Sequence, residues 1–492
     1  MKMKQIALLL AGLSTSALAM AAPVTVAQID TARTNGTLQQ AWISGASAPT
    51  RTVYEGWVRG CDADTNTIFS TQSGNAAVPG AIGNFSAYAC TRGGRVSILY
   101  HTLDGGSLNF VTPHTVGTVL ARVKFPGSIN GGNGCTSQVN YVDPTNAANN
   151  ALVFKGCAQI GAAVPATGAT AQGNIDNTNA LATDPNAPQW PVGGFSDVEA
   201  ELFDSTIGGG DVSARGVQSD VGAGQVFGLA ASVPLYRAMQ AAQGKVQNDD
   251  PVNAPSITKS QYVALAASGG AMNGDWTPLL GNNPGKVRIQ RRVDTSGTQA
   301  SSNAYFLQNP CTTAIGASLL PATPGDNIPG AYEVTLNSGS GNVKSALTSA
   351  TNNPTATERY AIGVLSLENN WRLDPAASAG YRFLAIEGVH PELGDTADAR
   401  ATATAGLYTF HMELKNFVRD NYAGKPAKTA FEAAVIPAIT QALQNPPASS
   451  CAVYPRGLTL NPLNGSSCTP GVQVAKVTNL GKNCSPAQVV LP

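Results

Sequence analysis

Charged residues are scarce in this chain. Asp, Glu, Lys and Arg make up 12% of its 492 residues, about half of the usual share of roughly 25%. The 30 basic residues equal the 30 acidic residues, so the formal net charge is zero. A chain of this kind has no broad electrostatic field that would attract nucleic acid or an acidic membrane. Any anion that it binds must therefore be held by local geometry.

Long apolar runs are missing as well. The apolar segment near the N-terminus, residues 6–13 (IALLLAGL), is far shorter than the roughly 18 or more apolar residues of a membrane anchor. Lys2 and Lys4 precede it, and small residues follow at positions 17–22 (ALAMAA). This is the pattern of a cleaved export signal. We therefore expect a signal peptide over residues 1–21, a periplasmic or secreted bacterial protein, and no membrane anchor.

The patterns that mark metal sites and hydrolases are absent too. None of the eight cysteines forms a C-x-x-C pair, and no G-x-S-x-G motif occurs. Ser296 has no base that the sequence reveals. The four histidines are scattered without the spacing of metal ligands: His101, His114, His390 and His411. We expect no metal, no cofactor and no catalytic residue, so the chain is not expected to be an enzyme.

The even number of cysteines, together with an export signal, favours disulfides. Short loops are the easiest to close, which predicts that Cys61 pairs with Cys90 and Cys135 with Cys157. Cys311 is then expected to pair with one of the three cysteines near the C-terminus. The sequence leaves open which of the three it is.

The rest of the composition is that of a globular exported protein, with 52 Gly, 31 Pro and 43% apolar residues. Predicted strands and helices alternate, which favours an α/β fold. The predicted strands include residues 96–100, 226–231 and 381–386, and the predicted helices include residues 258–267 and 428–443. A chain of this length exceeds a single core, so two domains are expected.

The most informative segment is residues 291–298 (RRVDTSGT). It follows a predicted strand at residues 286–290 and precedes a predicted helix at residues 299–307. An arginine at a strand end, a hydroxyl-and-glycine turn and free helix N–H groups together form a cradle for an oxyanion. The alternative is that Ser296 or Thr298 only caps the helix and that Arg292 pairs with an acid on the surface.

Four blocks, in the same order, resemble the phosphate-binding proteins of bacterial phosphate ABC importers, the PstS-like family with its DING-type branch. The blocks are residues 43–50 (ISGASAPT) with 53–57 (VYEGW), residues 194–197 (GFSD), residues 257–262 (ITKSQY) through 274–276 (GDW) to 291–298, and residues 361–364 (AIGV) with 386–391 (IEGVHP). The third block is the specific one.

This resemblance implies a two-lobe α/β fold of the type II periplasmic binding proteins. Lobe 1 would comprise residues 24–231 and 387–445, with a Gly/Asn-rich insertion at about 127–189, and lobe 2 would comprise residues 232–386. A disulfide-linked tail, residues 446–492, would follow. The resemblance also places the strands that cross between the lobes near residues 226–231 and 386–389.

The resemblance implies a phosphate site as well. Arg292 would bind two oxygens with its planar fork, and Asp197 would accept the proton that hydrogen phosphate keeps and sulfate lacks. The other ligand-binding residues would be Ser296, Gly297 and Thr298 in the turn, Ser47 and Thr50 in the first loop, and Gly105 and Ser107 in the second loop.

The residues around Asp197 also admit a structural reading. Ser196 and Glu199 have the spacing of a helix capping box.

Three positions depart from the family pattern: Pro49 lacks a backbone donor, Asp104 adds a negative charge beside the second loop, and Thr295 stands where the family has glycine.

The resemblance implies a monomer that captures inorganic phosphate in the cleft between the lobes and passes it to an ABC permease. The alternative is a protein of the same fold with a different ligand, or a secreted or surface scaffold that has lost phosphate binding.

Overall fold

The computed structural model describes residues 22–47, 49–70, 84–120, 122, 135–140, 153–157, 190–268, 275–312, 319–323, 332–353, 359–373, 380–452, 454–464 and 467–490. The predicted signal peptide, residues 1–21, lies outside these residues, and so does most of the predicted insertion at 127–189.

The strands are β1 (Gln39–Gly45), β2 (Thr67–Ser70), β3 (Phe85–Arg92), β4 (Arg95–Thr102), β5 (Cys135–Asn140), β6 (Val153–Cys157), β7 (Gly193–Ser196), β8 (Gly216–Ser232), β9 (Ser256–Ile257), β10 (Val287–Arg292), β11 (Tyr332–Asn337), β12 (Ala361–Ser366), β13 (Tyr381–Phe383), β14 (Ala385–Ile386), β15 (His411–Arg419), β16 (Leu458–Leu460), β17 (Val477–Thr478) and β18 (Gln488–Val489).

The α-helices are α1 (Val26–Thr34), α2 (Thr50–Val58), α3 (Thr112–Thr115), α4 (Val233–Ala242), α5 (Lys259–Ala266), α6 (Thr277–Leu280), α7 (Gly297–Leu307), α8 (Ser340–Asn352), α9 (Ala401–Thr404), α10 (Ala430–Gln444) and α11 (Ala448–Cys451). Short 3-10 helices include Ser107–Phe110 and Ala200–Leu202.

Most of the strands form one mixed sheet in the order β11-β10-β12-β8-β15-β7-β1-β4-β3-β2-β6-β5, and β13 and β16 also pair with β8. Strand β1 is parallel to β4 and β7, and β10 is parallel to β11 and β12. Strand β8 is antiparallel to both β12 and β15. Helices accompany this sheet, so the predicted α/β class is confirmed.

The 17-residue strand β8 joins two sections of the sheet. The first section contains β15, β7, β1, β4, β3, β2, β6 and β5, and the second section contains β12, β10 and β11. Up to Val226 it pairs with β15 in the first section, and from Phe227 it pairs with β12 in the second section. The change of partner falls at the start of residues 226–231, where a strand was predicted to cross. The two sections are therefore connected by one continuous strand, and the ends of β8 belong to different sections.

The predicted strand at residues 381–386 is divided, and the predicted return crossing at 386–389 is a turn. β13 pairs with β8, whereas β14 pairs with β9. In the turn, the Ile386 amide donates to the Val389 carbonyl at 2.9 Å and the Val389 amide donates to the Ile386 carbonyl at 3.0 Å. Glu387 and Gly388 have φ of 51° and 84°, which a strand cannot accommodate. The next strand that the chain adds to the first section is β15.

Local sequence signals place several helix starts. Thr258 caps α5 and forms a capping box with Gln261, and Thr429 forms a capping box with Glu432 at the start of α10. In each box the threonine side chain accepts from a backbone amide of the first turn, and the third helical residue bonds back to the cap. Both predicted helices begin and end within two residues of the observed ones.

One apolar cluster extends across both sections of the sheet. Leu108 and Val198 follow strands of the first section, and they pack in the same cluster as Ala300 and Ala304 of α7, which follows β10 of the second section. Two further clusters lie in the first section, one of which contains Trp57 and the other Trp42. The two sections therefore meet through buried apolar contact next to the start of α7.

Three disulfides lie among the described residues: Cys61–Cys90, Cys311–Cys484 and Cys451–Cys468. The predicted Cys61–Cys90 pair is confirmed, and the partner of Cys311 is Cys484, so the C-terminal tail is disulfide-linked. The backbones of Cys135 and Cys157 are register partners in β5 and β6. Their side chains lie outside the described structure, and this pair stays a prediction.

Within the described part of the chain, none of the helices has both the length and the apolar character needed to span a membrane.

The close packing of β7 between its neighbours gives a test of the fold. A Cβ at Gly194 would lie 1.7 Å from the Ser44 carbonyl oxygen in β1, so Gly194→Ala should lower the free energy of unfolding by about 2 kcal/mol or more. The control is Gly341→Ala in α8, where a Cβ would meet nothing within 4 Å and should raise stability by about 0.5–1 kcal/mol. Urea denaturation measures both, and equal effects would contradict the close packing of Gly194 against Ser44.

Candidate oxyanion site

Asp197 follows β7 and is 2% exposed. Its Oδ2 accepts a hydrogen bond from Ser107 Oγ at 3.0 Å, whereas its Oδ1 has no hydrogen-bond partner among the described residues. Burial raises the pKa of Asp197 to about 6, although the Ser107 hydrogen bond and the charge of Arg292 oppose that rise. A buried acceptor atom without a partner is unfavourable by itself and suits a ligand that can donate a proton.

The capping-box interpretation of residues 196–199 is wrong. No α-helix begins here, and only a 3-10 helix follows, Ala200–Leu202. The Glu199 carboxylate instead accepts from the backbone amide of Asn483 at 2.8 Å and from its Nδ2 at 2.6 Å. Because Asn483 lies 284 residues away in the chain, the local sequence could not reveal this partner.

Ser107 links Asp197 to the start of α7. It follows a turn in which Gly105 and Gly106 have φ of 80° and 89°, a conformation that favours glycine. The Ser107 Oγ accepts from the Gly297 amide at 2.9 Å and donates to Asp197. A chain of hydrogen bonds thus runs from the start of α7 in the second section to a carboxylate in the first.

The other residues of the second loop face differently. Gly105 and Asp104 are exposed, and the Asp104 carbonyl accepts from Asn109 Nδ2 at 2.7 Å. Exposure hydrates the Asp104 carboxylate, so it does not add a buried negative charge beside Asp197. The structure therefore joins Ser107, and not the side chain of Asp104, to the other candidate residues.

The turn before α7 packs closely against Asp197. Ser296 is the N-cap residue and is buried, but its side chain makes no capping hydrogen bond, so the interpretation that it only caps the helix is wrong. A Cβ at Gly297 would lie 2.4 Å from both Asp197 Oδ2 and Ser107 Oγ. Only glycine fits there. Thr298 is buried in the first turn of α7.

Thr295 fits its position without strain. It is not among the residues with positive φ, so it needs none of the conformational freedom of the glycine that the family pattern has here. Its carbonyl accepts from the Leu108 amide at 3.0 Å, which adds a second hydrogen bond between the two sections of the sheet beside Ser107.

Arg292 ends β10 and is 4% exposed. Its Nη1 donates to Ser340 Oγ at 2.9 Å and its Nη2 to the Ser338 carbonyl at 3.2 Å. Burial lowers the pKa of Arg292 to about 10, and the charge of Asp197 opposes that decrease. The guanidinium is therefore turned inward and lies within electrostatic reach of Asp197.

The neighbouring arginine makes the surface pair that was considered for Arg292. Arg291 pairs with Asp294, whose side chain is largely exposed. A pocket beside the two arginines is lined also by Gln299 and Asn303 of α7 and by Tyr262 of α5. The interpretation that Arg292 pairs with a surface acid is thus wrong, and it is Arg291 that makes such a pair.

The first loop lies next to β7 but is not joined to the other candidates. The Ala46 amide donates to the Phe195 carbonyl at 2.8 Å, and Thr50, the first residue of α2, donates from Oγ1 to the Ser47 carbonyl at 2.5 Å. Pro49 occupies the N-cap position. Within the described residues, no hydrogen bond links Ser47 or Thr50 to Asp197.

The four histidines are buried and structural. Burial lowers the pKa of His101 and of His114 to about 3 and that of His390 to about 4, and it also lowers the pKa of His411. Each imidazole has a partner within the fold, such as Tyr88 at 3.0 Å from His101. Among the described residues, no group of His, Cys, Asp and Glu side chains could hold a metal ion.

Two groups of residues at the site were not predicted from the sequence. Ser338 and Ser340, which flank the Gly339 cap of α8, hold the guanidinium of Arg292. Asn483 in the tail holds the loop that carries Asp197. The only signal for the first group was a Gly- and Ser-rich segment before a helix, and nothing in the sequence indicated the second.

Comparison with known proteins does not assign this chain to a family. No family model and no curated protein matches the chain. Among solved structures, the chain is similar to a "possible phosphate binding protein" from Planctomyces limnophilus, with 12% identity and a TM-score of 0.25 over 46% of this chain and 63% of that one. The chain thus spans less than two thirds of that neighbour. At this TM-score the similarity assigns neither a fold nor a ligand to this chain.

The burial of Asp197 predicts a specific pH dependence of stability. Because its pKa is raised to about 6 in the folded protein and is near 4 when unfolded, its favourable contribution is complete below about pH 4 and is lost as the pH rises through about 6. Asp197→Asn should therefore be more stable than wild type at about pH 8 and show no such gain near pH 4.

The control is Asp204→Asn, which should behave in the opposite way. The Thr206 amide lowers the pKa of Asp204, so the contribution of this carboxylate is present at neutral pH and lost as the pH falls. Urea denaturation at both pH values measures each variant. A loss of stability for Asp197→Asn at about pH 8 would show that the buried carboxylate of Asp197 does not destabilise the folded protein.

Proposed function

We propose that this chain binds inorganic phosphate between two lobes that correspond to the two sections of the sheet. The observation that carries the proposal is the buried carboxylate of Asp197, whose Oδ1 has no partner among the described residues. Ser107 holds this carboxylate against the first amide of α7. Arg292 supplies a buried positive charge within electrostatic reach.

The chemistry of these groups suits hydrogen phosphate. Arg292, Ser107, Thr298 and the Gly297 amide are donors for anionic oxygens, and the N-terminus of α7 adds a favourable dipole. The Asp197 carboxylate is an acceptor and needs a ligand that still carries a proton. Hydrogen phosphate has that proton at neutral pH, whereas sulfate has none and would leave two negative oxygens facing each other.

In this proposal the chain is a solute-binding protein of the type II periplasmic class. It would act as a monomer, close by a hinge motion, and deliver phosphate to an ABC permease. The N-terminal export pattern and the three disulfides support a periplasmic or secreted location, because disulfides persist in oxidising compartments. No catalytic step is part of the proposal.

A second candidate is a protein of this fold that binds another ligand or has become a scaffold. The observation that favours it is that the site satisfies part of its own hydrogen bonding, since Gly297 donates to Ser107 and Ser107 to Asp197. A phosphate that binds at the Gly297 amide must first replace these contacts. Isothermal titration with phosphate, sulfate and arsenate separates the candidates, because a scaffold gives no binding heat with any of them.

Arg292→Lys tests the anchor of the anion. Lysine keeps the charge but loses the planar fork, and a charge-assisted hydrogen bond contributes roughly 1.5–3 kcal/mol, so the dissociation constant for phosphate should rise about tenfold or more. Arg291→Lys is the matched control, since that arginine is also buried but pairs with Asp294. Titration calorimetry measures both, and an equal loss in the two variants would remove Arg292 from the site.

Asp197→Asn tests the discrimination between oxyanions. The amide can donate a hydrogen bond to an oxygen that the carboxylate would repel, so sulfate binding should improve by about tenfold or more relative to phosphate binding. The ratio of the two dissociation constants is the readout, with Asp204→Asn as the control. An unchanged ratio would mean that Asp197 does not face the ligand.

A further inference from the structure

Residues 478–481 of the C-terminal tail are held on the first section of the sheet by one buried carboxylate. Glu413 in β15 is 3% exposed. Its Oε1 accepts from the Asn479 amide at 3.0 Å, its Oε2 accepts from the Gly481 amide at 2.7 Å, and the Thr478 hydroxyl also donates to it. A buried carboxylate loses much of its hydration, so these donors are needed to stabilise it. The tail is therefore anchored where it folds around Glu413.

Asn483 connects the same tail to the loop of the candidate site. Its amide and its Nδ2 donate to the two carboxylate oxygens of Glu199, which lies two residues after Asp197. Its Nδ2 also donates to the Glu413 carbonyl at 3.0 Å, and its Oδ1 accepts from the Glu413 amide at 2.7 Å. Every hydrogen-bonding group of the Asn483 side chain is thus engaged with the first section.

The next residue of the tail is bound covalently to the second section. Cys484 forms a disulfide with Cys311, with a Cα–Cα distance of 5.2 Å, and Cys311 follows the end of α7. Since consecutive Cα atoms are about 3.8 Å apart, Cys311 stays within about 9 Å of Asn483 as long as this bond is intact. The helix that begins with Gly297 and the loop that carries Asp197 are therefore tied together outside the site itself.

We propose that residues 478–484 form a strap that limits how far the two lobes separate. The inference rests on the hinge motion of the proposed function. The disulfide cannot lengthen, and only one peptide unit separates Cys484 from Asn483. A wider separation of the lobes would therefore require the buried hydrogen bonds of Asn483 with Glu199 and Glu413 to break. The strap thereby sets the width of opening and the rate at which ligand leaves.

The test compares two disulfides of the same tail. The double variant Cys311→Ala with Cys484→Ala releases the strap, and the double variant Cys451→Ala with Cys468→Ala removes a bond that does not reach the second section. Hydrogen exchange is measured in the absence of ligand at the Gly297 amide, which donates across the sections to Ser107. Exchange reports local opening, and it should be at least tenfold faster in the first variant and unchanged in the second.

A third variant, Asn483→Ala, keeps the disulfides and removes the side-chain hydrogen bonds that join Asn483 to Glu199 and Glu413, so it should also accelerate exchange at Gly297. If both strap variants keep the wild-type exchange rate, or if the Cys451/Cys468 variant matches them, the strap proposal is overturned. If a double variant does not fold, Asn483→Ala decides. Phosphate dissociation should accelerate in parallel when measured by stopped flow. Faster exchange without any phosphate binding would retain the strap and reject the proposed function.

Discussion

The burial of the Asp197 carboxylate is the constraint on which the rest of the site depends. A charge removed from water needs partners. The fold supplies a hydrogen bond from Ser107 and the positive charge of Arg292 within electrostatic reach. One oxygen is left without a partner among the described residues. Neighbouring positions follow from this: Gly297 must lack a side chain because Asp197 and Ser107 occupy that space. A protonated oxyanion would donate a hydrogen bond to this oxygen of Asp197 and so remove the cost of leaving it buried without a partner.

The same constraint explains how the two sections of the sheet are held. Strand β8 runs from one section into the other, while the Ser107–Gly297 and Leu108–Thr295 hydrogen bonds join the two sections at the site. The tail adds a third connection through Asn483 and Cys484. A carboxylate between two bodies can be screened from water only while they stay together, so these connections and the raised pKa of Asp197 belong to one arrangement.

Local sequence patterns predicted much of the secondary structure around the site. The strand–turn–helix around residues 291–298 is present, because an alternating run, a small turn and a helix-forming segment specify it without distant contacts. Two capping boxes placed α5 and α10 for the same reason. The capping box predicted from Ser196 and Glu199 does not form, since the Glu199 carboxylate accepts from Asn483 in the tail instead. The strand predicted at 381–386 is present as β13 and β14, but the crossing predicted at 386–389 is wrong because positive φ at Glu387 and Gly388 turns the chain, which alternation does not encode.

The sequence by itself determined the α/β class, the Cys61–Cys90 pair and the inventory of groups for an oxyanion site, because each follows from periodicity, spacing or the chemistry of single side chains. Tertiary structure alone decided that Ser107 links Asp197 to Gly297, that Arg292 is held by Ser338 and Ser340, and that Cys311 pairs with Cys484. These contacts join residues far apart in the chain. Their formation depends on how the sections pack, and no local pattern carries that information.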